Sequence, residues 1–395
     1  MPHILTSKHN DIQTPMKSDD GVVFEYIAKS TYEDKIKVVS EDKEFFLTKL
    51  LKDDKHLIKL DSTTRVTPIE IAKKALDSYS KIANCEILFS NIATNNNKLK
   101  PTQEYLKDIS YFVDDFNPIQ EICVEVGFGS GRHLLYQAEE NPDILYIGLE
   151  IHTPSIEQML KQVKIKGIKN ILAVNYDARL FLEFLDSNSV SRIFVHFPVP
   201  WDKKPHRRVM SEEFINESMR VLKVGGSLEL RTDSPNYYEY NLELLEKFKE
   251  YKSTIVKNQP LAISSKYEDR WKRQGKDIWD ITIYAKDKSK SIEISKDFSF
   301  SKDISIDIDT IKTKLPKKAI VKDGYFIHTE YIYLTKDKTI CLLHLTMGSF
   351  NKPLAKYIVI KDNDISYFQS NPIPTSANHK AHRLLNDILL EVSDK

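Results

Sequence analysis

Three of the chain's 11 glycines fall within five residues, at Gly127, Gly129 and Gly131. They follow the apolar run Glu121-Ile-Cys-Val-Glu125-Val and lead into a helical pattern at His133–Glu140. Glycines in such a turn let a ligand approach the backbone closely, and the helix that follows presents free N–H groups. A strand, glycine turn and helix in this order predict an open α/β sheet. The turn then lies at the carboxyl end of a central strand, where such sheets hold their ligands.

The surrounding pattern agrees with that expectation. Strand-like runs at Ile122–Val126, Ile144–Leu149, Ile171–Asn175, Arg192–Phe197 and Ser227–Arg231 alternate with helical stretches at His133–Glu140, Pro154–Lys166, Ala178–Leu185 and Glu212–Leu222. Alternation of this kind predicts a doubly wound, mostly parallel sheet with right-handed crossovers. Ser253–Lys257 and Trp279–Ala285 complete the sheet and flank a long charged insertion. This domain is expected over residues 101–288. Residues 1–100 read as an N-terminal α+β extension, with β-like runs at Val22–Tyr26 and Ile36–Val39, a helix at Pro68–Ala83 and a polar linker at 94–100. Residues 289–395 read as a small β-rich C-terminal domain. Its strands are expected at Ile304–Ile308, Tyr325–Leu334, Thr339–Thr346 and Tyr357–Ile360, with a closing helix near His379–Val392.

The chain has 395 residues, and its 58 basic and 57 acidic side chains leave a net charge of +1. Polyanions would feel no overall attraction, so a nucleic-acid partner must be held by local patches. Cys85, Cys123 and Cys341 lie far apart and form no CxxC pair. They predict neither a disulfide framework nor a metal site. Met1–Thr14 lacks the apolar core of a signal peptide, and no apolar run reaches the ~18 residues of a membrane span. A cytoplasmic protein is the expectation.

The glycine spacing is GxGxG, whereas the dinucleotide fingerprint GxGxxG would require glycine where Arg132 stands. Glu125 lies two residues before the first glycine, where it would repel a pyrophosphate and favour a cationic ligand. Glu150 closes the second strand, where such folds place an acid on ribose hydroxyls. Asp177 follows the third strand in Asn175-Tyr-Asp177-Ala178. Acids at three successive strand ends suit S-adenosyl-L-methionine, with Glu125 near its aminoacyl side, Glu150 on ribose and Asp177 near the adenine amino group. Arg132 and His133 carry no pattern of their own and read as solvated helix residues.

The fourth strand runs into Phe197-Pro-Val-Pro-Trp201-Asp-Lys203-Lys-Pro-His-Arg207-Arg208. Pro198 and Pro200 stiffen the turn against the methyl-donor pocket. Trp201 could pack on a base or on the core, and the core is favoured. Lys203, Lys204, Arg207 and Arg208 form a basic loop. Lys266, Arg270, Lys272, Arg273 and Lys276, interleaved with Tyr267, Trp271 and Trp279, read as an RNA surface, because phosphate contact and base stacking use these residue types. Lys161, Lys164, Lys166 and Lys169 read as a solvated helix face.

Glu125-Val-Gly-Phe-Gly-Ser-Gly131, Gly148-Leu-Glu150-Ile-His152, Asp177-Ala178, Phe197-Pro-Val-Pro-Trp201, Arg207-Arg208, Thr232-Asp233 and Ser265-Lys-Tyr-Glu268 occur in this order. The series resembles the bacterial tRNA (guanine-N7)-methyltransferase family over about Ile122 to Lys286. The resemblance implies a class I methyltransferase fold, Rossmann-like with a seven-stranded sheet. It also implies methyl transfer from S-adenosyl-L-methionine to N7 of a tRNA guanosine, the variable-loop guanosine at position 46. Glu125, Gly127, Gly129, Gly131, Glu150 and Asp177 would then bind the donor. Lys203, Asp233, Ser265, Glu268, Arg207 and Arg208 would bind tRNA, with Asp233 orienting the guanine. Two motif positions depart from the family: Val199 stands at the usual acid position, and Ser265 replaces the usual threonine. Methylation of an exocyclic amine, or RNA binding without catalysis, are the alternatives.

Overall fold

The computed structural model describes residues 1–93, 102, 104–263, 268–269, 273–293, 295–350, 352–362 and 364–393, with the backbone alone at 309 and 310. Two compact units result, one of Leu99–Lys296 with Ile373–Thr375, the other of Met1–Lys98, Asp297–Pro372 and Ser376–Lys395.

The first unit contains an eight-stranded sheet. Its spatial order is Ser253–Lys257, Trp279–Tyr284, Leu222–Thr232, Val190–His196, Glu121–Val126, Ile144–Leu149, Ile171–Val174 and Leu106–Lys107. Only Trp279–Tyr284 runs against its neighbours. The two-residue strand Leu106–Lys107 adds one strand to the seven expected. Alternate side chains of Glu121–Val126 enter different cores: Ile122, Val124 and Val126 join one, while Cys123 joins the other with Phe128, Leu134 and Met159. Helices therefore cover both faces, which explains the nearly continuous apolar runs in the sequence. Chain reversal puts Glu121–Val126 between Ile144–Leu149 and Val190–His196, so the glycine turn opens at the switch in strand order.

The helices start where the local chemistry directs. Ser211 Oγ accepts from Phe214 N–H at the start of Glu212–Val221, and Ser234 Oγ accepts from Tyr237 N–H at the start of Pro235–Leu245. Each side chain satisfies a donor that the first helical turn leaves open.

The second unit is built on a 12-stranded antiparallel sheet. Strand Val23–Lys29 pairs with Tyr325–Thr335 through Lys29 opposite Leu334 and Ala28 opposite Thr335. The two terminal regions, read from sequence as separate, therefore share one sheet. They also share a core in which Ala28 and Phe46 pack with Tyr333, Leu342, Tyr357 and Phe368. Ile304–Ile308 is not a strand, and helix Ile308–Lys314 begins at its last residue. Ile304, Ile306 and Ile311 enter the core without a strand partner, so apolar alternation alone misled the assignment.

Gly148 packs so closely that a Cβ there would lie 2.4 Å from Leu134 Cδ2 and 2.7 Å from Phe128 Cδ1. Gly148→Ala is expected to lower the unfolding free energy by about 1–3 kcal/mol through overpacking. A reduced urea midpoint with an unchanged slope checks this expectation.

Candidate methyl-donor and guanosine site

The turn after Glu121–Val126 uses backbone that favours glycine: φ is 67° at Gly127, 53° at Gly129 and 71° at Gly131. Gly127 N–H donates to Leu149 O at 2.8 Å, and Gly131 N–H donates to Phe128 O at 2.8 Å. A Cβ at Gly127 would meet nothing within 4 Å, and one at Gly129 would meet only Gly127 O at 3.9 Å. At Gly131, by contrast, a Cβ would lie 2.4 Å from Met159 Cγ. The first two glycines leave space above the turn. The third lets the helix Arg132–Glu140 pack against its neighbour.

Three carboxylates stand at the adjoining strand ends, each held differently. Glu150 Oε2 accepts from Gly129 N–H at 2.9 Å, while its Oε1 accepts from the N–H groups of Ile151 and His152 at 2.8 and 2.9 Å. Asp177 caps the short helix Ala178–Phe181 by accepting Arg179 N–H at 3.0 Å. Its two oxygens also receive Arg179 Nε at 3.1 Å and Nη2 at 2.7 Å. The Glu125 side chain is only 3% exposed, and His133 Nδ1 lies 2.8 Å from its Oε2. No other hydrogen bond reaches that carboxylate among the described residues. The second oxygen of this largely buried carboxylate is therefore left open to solvent or to a ligand's donor.

The loop after Val190–His196 is tied to the next strand by Phe197 N–H donating to Arg231 O at 2.7 Å. Phe197 and Trp201 have φ of 51° and 46°, unusual for residues with side chains. Arg208 Nε donates to Pro200 O at 2.7 Å, and its guanidinium lies 4.4 Å from the Tyr240 ring centroid. Lys203, Lys204 and Arg207 are exposed. The Arg207 guanidinium sits 5.2 Å from the Trp201 ring centroid, and Val199 is 60% exposed.

Behind this loop, Arg231 is buried and bonded on three sides. It donates to Asp280 Oδ1 at 2.6 Å, Glu268 Oε1 at 3.0 Å and Gln259 O at 3.0 Å. Burial holds Asp280 above the usual carboxylate value despite the adjacent guanidinium. Asp233 directly follows the same strand and receives Lys276 Nζ at 2.9 Å. Among the described residues, no group of three or more His, Cys, Asp or Glu side chains is placed to hold a metal ion. Also among them, no helix is long and apolar enough to cross a membrane.

Residues 119–281 match the family model described as "Putative methyltransferase". A curated Wolinella succinogenes protein named tRNA (guanine-N(7)-)-methyltransferase is 41% identical over 395 residues, covering 98% of this chain and 100% of that one. Proteins of the same name from Helicobacter hepaticus and Campylobacter fetus subsp. fetus are 40% and 39% identical. Those alignments cover 99% and 98% of this chain and 100% and 99% of theirs. The chain belongs to the tRNA (guanine-N(7)-)-methyltransferase family. The alignments extend across the terminal regions, so these relatives match the second unit as well as the class I methyltransferase sheet.

The fold brings Glu125, Gly127, Gly129, Gly131 and Glu150 around one turn and places Asp177 at the next strand end. Several sequence expectations change. His133 is not a solvated helix residue: its side chain is 11% exposed and bonded to Glu125, whereas Arg132 is exposed and pairs with Asp269 at 2.9 Å. Trp201 is 37% exposed and lies outside the core. Arg208, expected on tRNA, is buried and holds its own loop. Glu268, expected on the guanosine, is 1% exposed and bonded to Arg231, so it anchors its segment to the sheet. Ser265, Lys266, Tyr267, Arg270, Trp271 and Lys272 lie outside the described residues. The sequence reading missed Arg179, His196, Arg231 and Asp280. A charge inside the apolar run Ser227-Leu-Glu-Leu-Arg231 was the available signal for Arg231, but its partner Asp280 became visible only through strand register.

Arg231→Met would remove the guanidinium that meets the buried Glu268 and Asp280. A loss of about 3–5 kcal/mol in unfolding free energy is expected, measured by urea denaturation.

Proposed function

We propose that this chain transfers the methyl group of S-adenosyl-L-methionine to N7 of a guanosine in tRNA, the variable-loop guanosine at position 46, in the cytoplasm. The observation that carries this reading is the buried Glu125 carboxylate at the glycine turn, with an oxygen left for a cationic ligand beside space that a Cβ would fill. When bound, S-adenosyl-L-methionine supplies an electrophilic methyl group on a sulfonium cation. Gly127 and Gly129 allow its close approach, Glu125 faces its ammonium group, Glu150 its ribose hydroxyls and Asp177 its adenine amino group. Glu125, beside the glycine turn, would oppose a dinucleotide's phosphates and favour this cation.

Guanine N7 carries an in-plane lone pair that is unprotonated at neutral pH. Its attack on the methyl carbon breaks the sulfur–carbon bond and requires no prior proton removal. Positioning and electrostatics therefore supply the acceleration. Asp233 orients guanine by accepting from its N1–H and exocyclic amino group, a pattern adenine lacks. Lys203 and Arg207 meet tRNA phosphates, and Arg208 keeps their loop in place. The Arg231 pair ties Glu268 to the sheet, and Ser265 contacts the guanosine. Val199 removes a carboxylate that this chemistry does not require.

Incubation of the purified chain with donor and tRNA should yield 7-methylguanosine on nuclease digestion and mass spectrometry. A transcript with guanosine 46 replaced should yield none. Detection of an N2-methylated product instead would support the exocyclic-amine alternative. Asp233→Ala should lower the methylation rate on the order of 10²-fold. Val199→Asp should leave turnover nearly unchanged, whereas a rise of about a hundredfold would show that a missing acid limits this chain.

A further inference from the structure

We propose that His133 is a positioning residue for the methyl donor: its Nδ1–H holds one oxygen of Glu125 so that the other faces the donor's ammonium group. This inference rests on the donor assignment above. An ionised carboxylate only accepts hydrogen bonds, so the proton between the two side chains belongs to His133. The partners are eight residues apart, and their 2.8 Å contact spans the glycine turn from the strand end to the helix beginning at Arg132. It therefore fixes both the carboxylate and the mouth of the turn.

The imidazole is itself held against the neighbouring strand. Its centroid lies 4.8 Å from that of Phe194 and 4.4 Å from that of His196, with interplanar angles of 70° and 56°. Both neighbours belong to Val190–His196, which pairs directly with Glu121–Val126. Burial, assisted by the nearby guanidinium groups, pushes the His196 pKa well below 6.5. His196 is therefore neutral at pH 7 and adds no cation beside Glu125. An imidazole can donate the required hydrogen bond without a formal charge, whereas lysine or arginine would bring a permanent cation against the carboxylate. The pairing can thus orient Glu125 while preserving its attraction for a cationic ligand.

The test is calorimetric binding to the full chain of S-adenosylhomocysteine, which retains the ammonium group, and of 5′-methylthioadenosine, which lacks it. His133→Ala should weaken S-adenosylhomocysteine roughly tenfold or more while leaving 5′-methylthioadenosine within about twofold. His133→Asn, which restores an N–H donor, should recover most of the lost affinity. In a Glu125→Gln background, His133→Ala should add little, because the interaction through which it acts is already broken. Unchanged S-adenosylhomocysteine affinity in His133→Ala, or equal weakening of both ligands, would overturn the positioning role. Should His133→Ala fail to fold, Glu125→Gln and His133→Asn provide the comparison: equal loss for both ligands again overturns it. If the unsubstituted chain bound neither ligand, the donor assignment itself would fall.

Discussion

A carboxylate largely removed from water must be met by donors, and that constraint organises the glycine-turn end of the central sheet. Glu125 lies on a strand enclosed by two cores, so little of its carboxylate is left to solvent. The glycine turn beside it uses its own N–H groups elsewhere: Gly127 on Leu149, Gly129 on Glu150 and Gly131 on Phe128. His133 is left to hold one Glu125 oxygen. The requirement for a buried acid thus extends to the first turn of the following helix and, through ring packing, to Phe194 and His196 on the next strand. Open space and close packing alternate along the turn, since Gly129 leaves room where Gly131 does not.

A second buried charge performs a different task. Arg231 sits at the carboxyl end of Leu222–Thr232, where its backbone oxygen receives Phe197 N–H and its guanidinium is buried. Asp280 meets it from the antiparallel neighbour, and Glu268 meets it from the insertion. Bonds of this kind gain from low dielectric but make the loss of either partner costly. They join the proline loop, the insertion and the sheet edge into one support. The exposed Lys203 and Arg207 can then vary in conformation without moving the loop that Arg208 secures.

The second unit depends on long-range pairing. Lys35 Nζ lies 2.9 Å from Asp61 Oδ2 and 2.7 Å from Glu33 Oε1, both within the first hundred residues. Tyr357 and Tyr333, from the other end of the chain, donate to those acids at 3.0 and 2.7 Å. Local periodicity could identify several strands in each region but carried no sign that Lys29 would face Leu334. Such a pairing is decided by sheet edges that neither segment displays in its own sequence. The error at Ile304–Ile308 has a related origin, because alternation records burial and does not distinguish a strand from an apolar segment covering a core.

The amino-acid sequence determined the order of strands and helices in the central unit, the GxGxG turn and the presence of acids at three strand ends. These are local properties, fixed by side-chain periodicity and by backbone conformations that glycine tolerates. Tertiary structure decided how those acids are used. Glu150 ties the turn, Asp177 accepts Arg179 and Glu125 binds His133. It also separated exposed basic side chains from Arg208 and Arg231, which their residue type alone could not do. The reason is physical: a charge acquires its role from desolvation and from partners that strand register brings within hydrogen-bond distance, and neither quantity exists until the chain has folded.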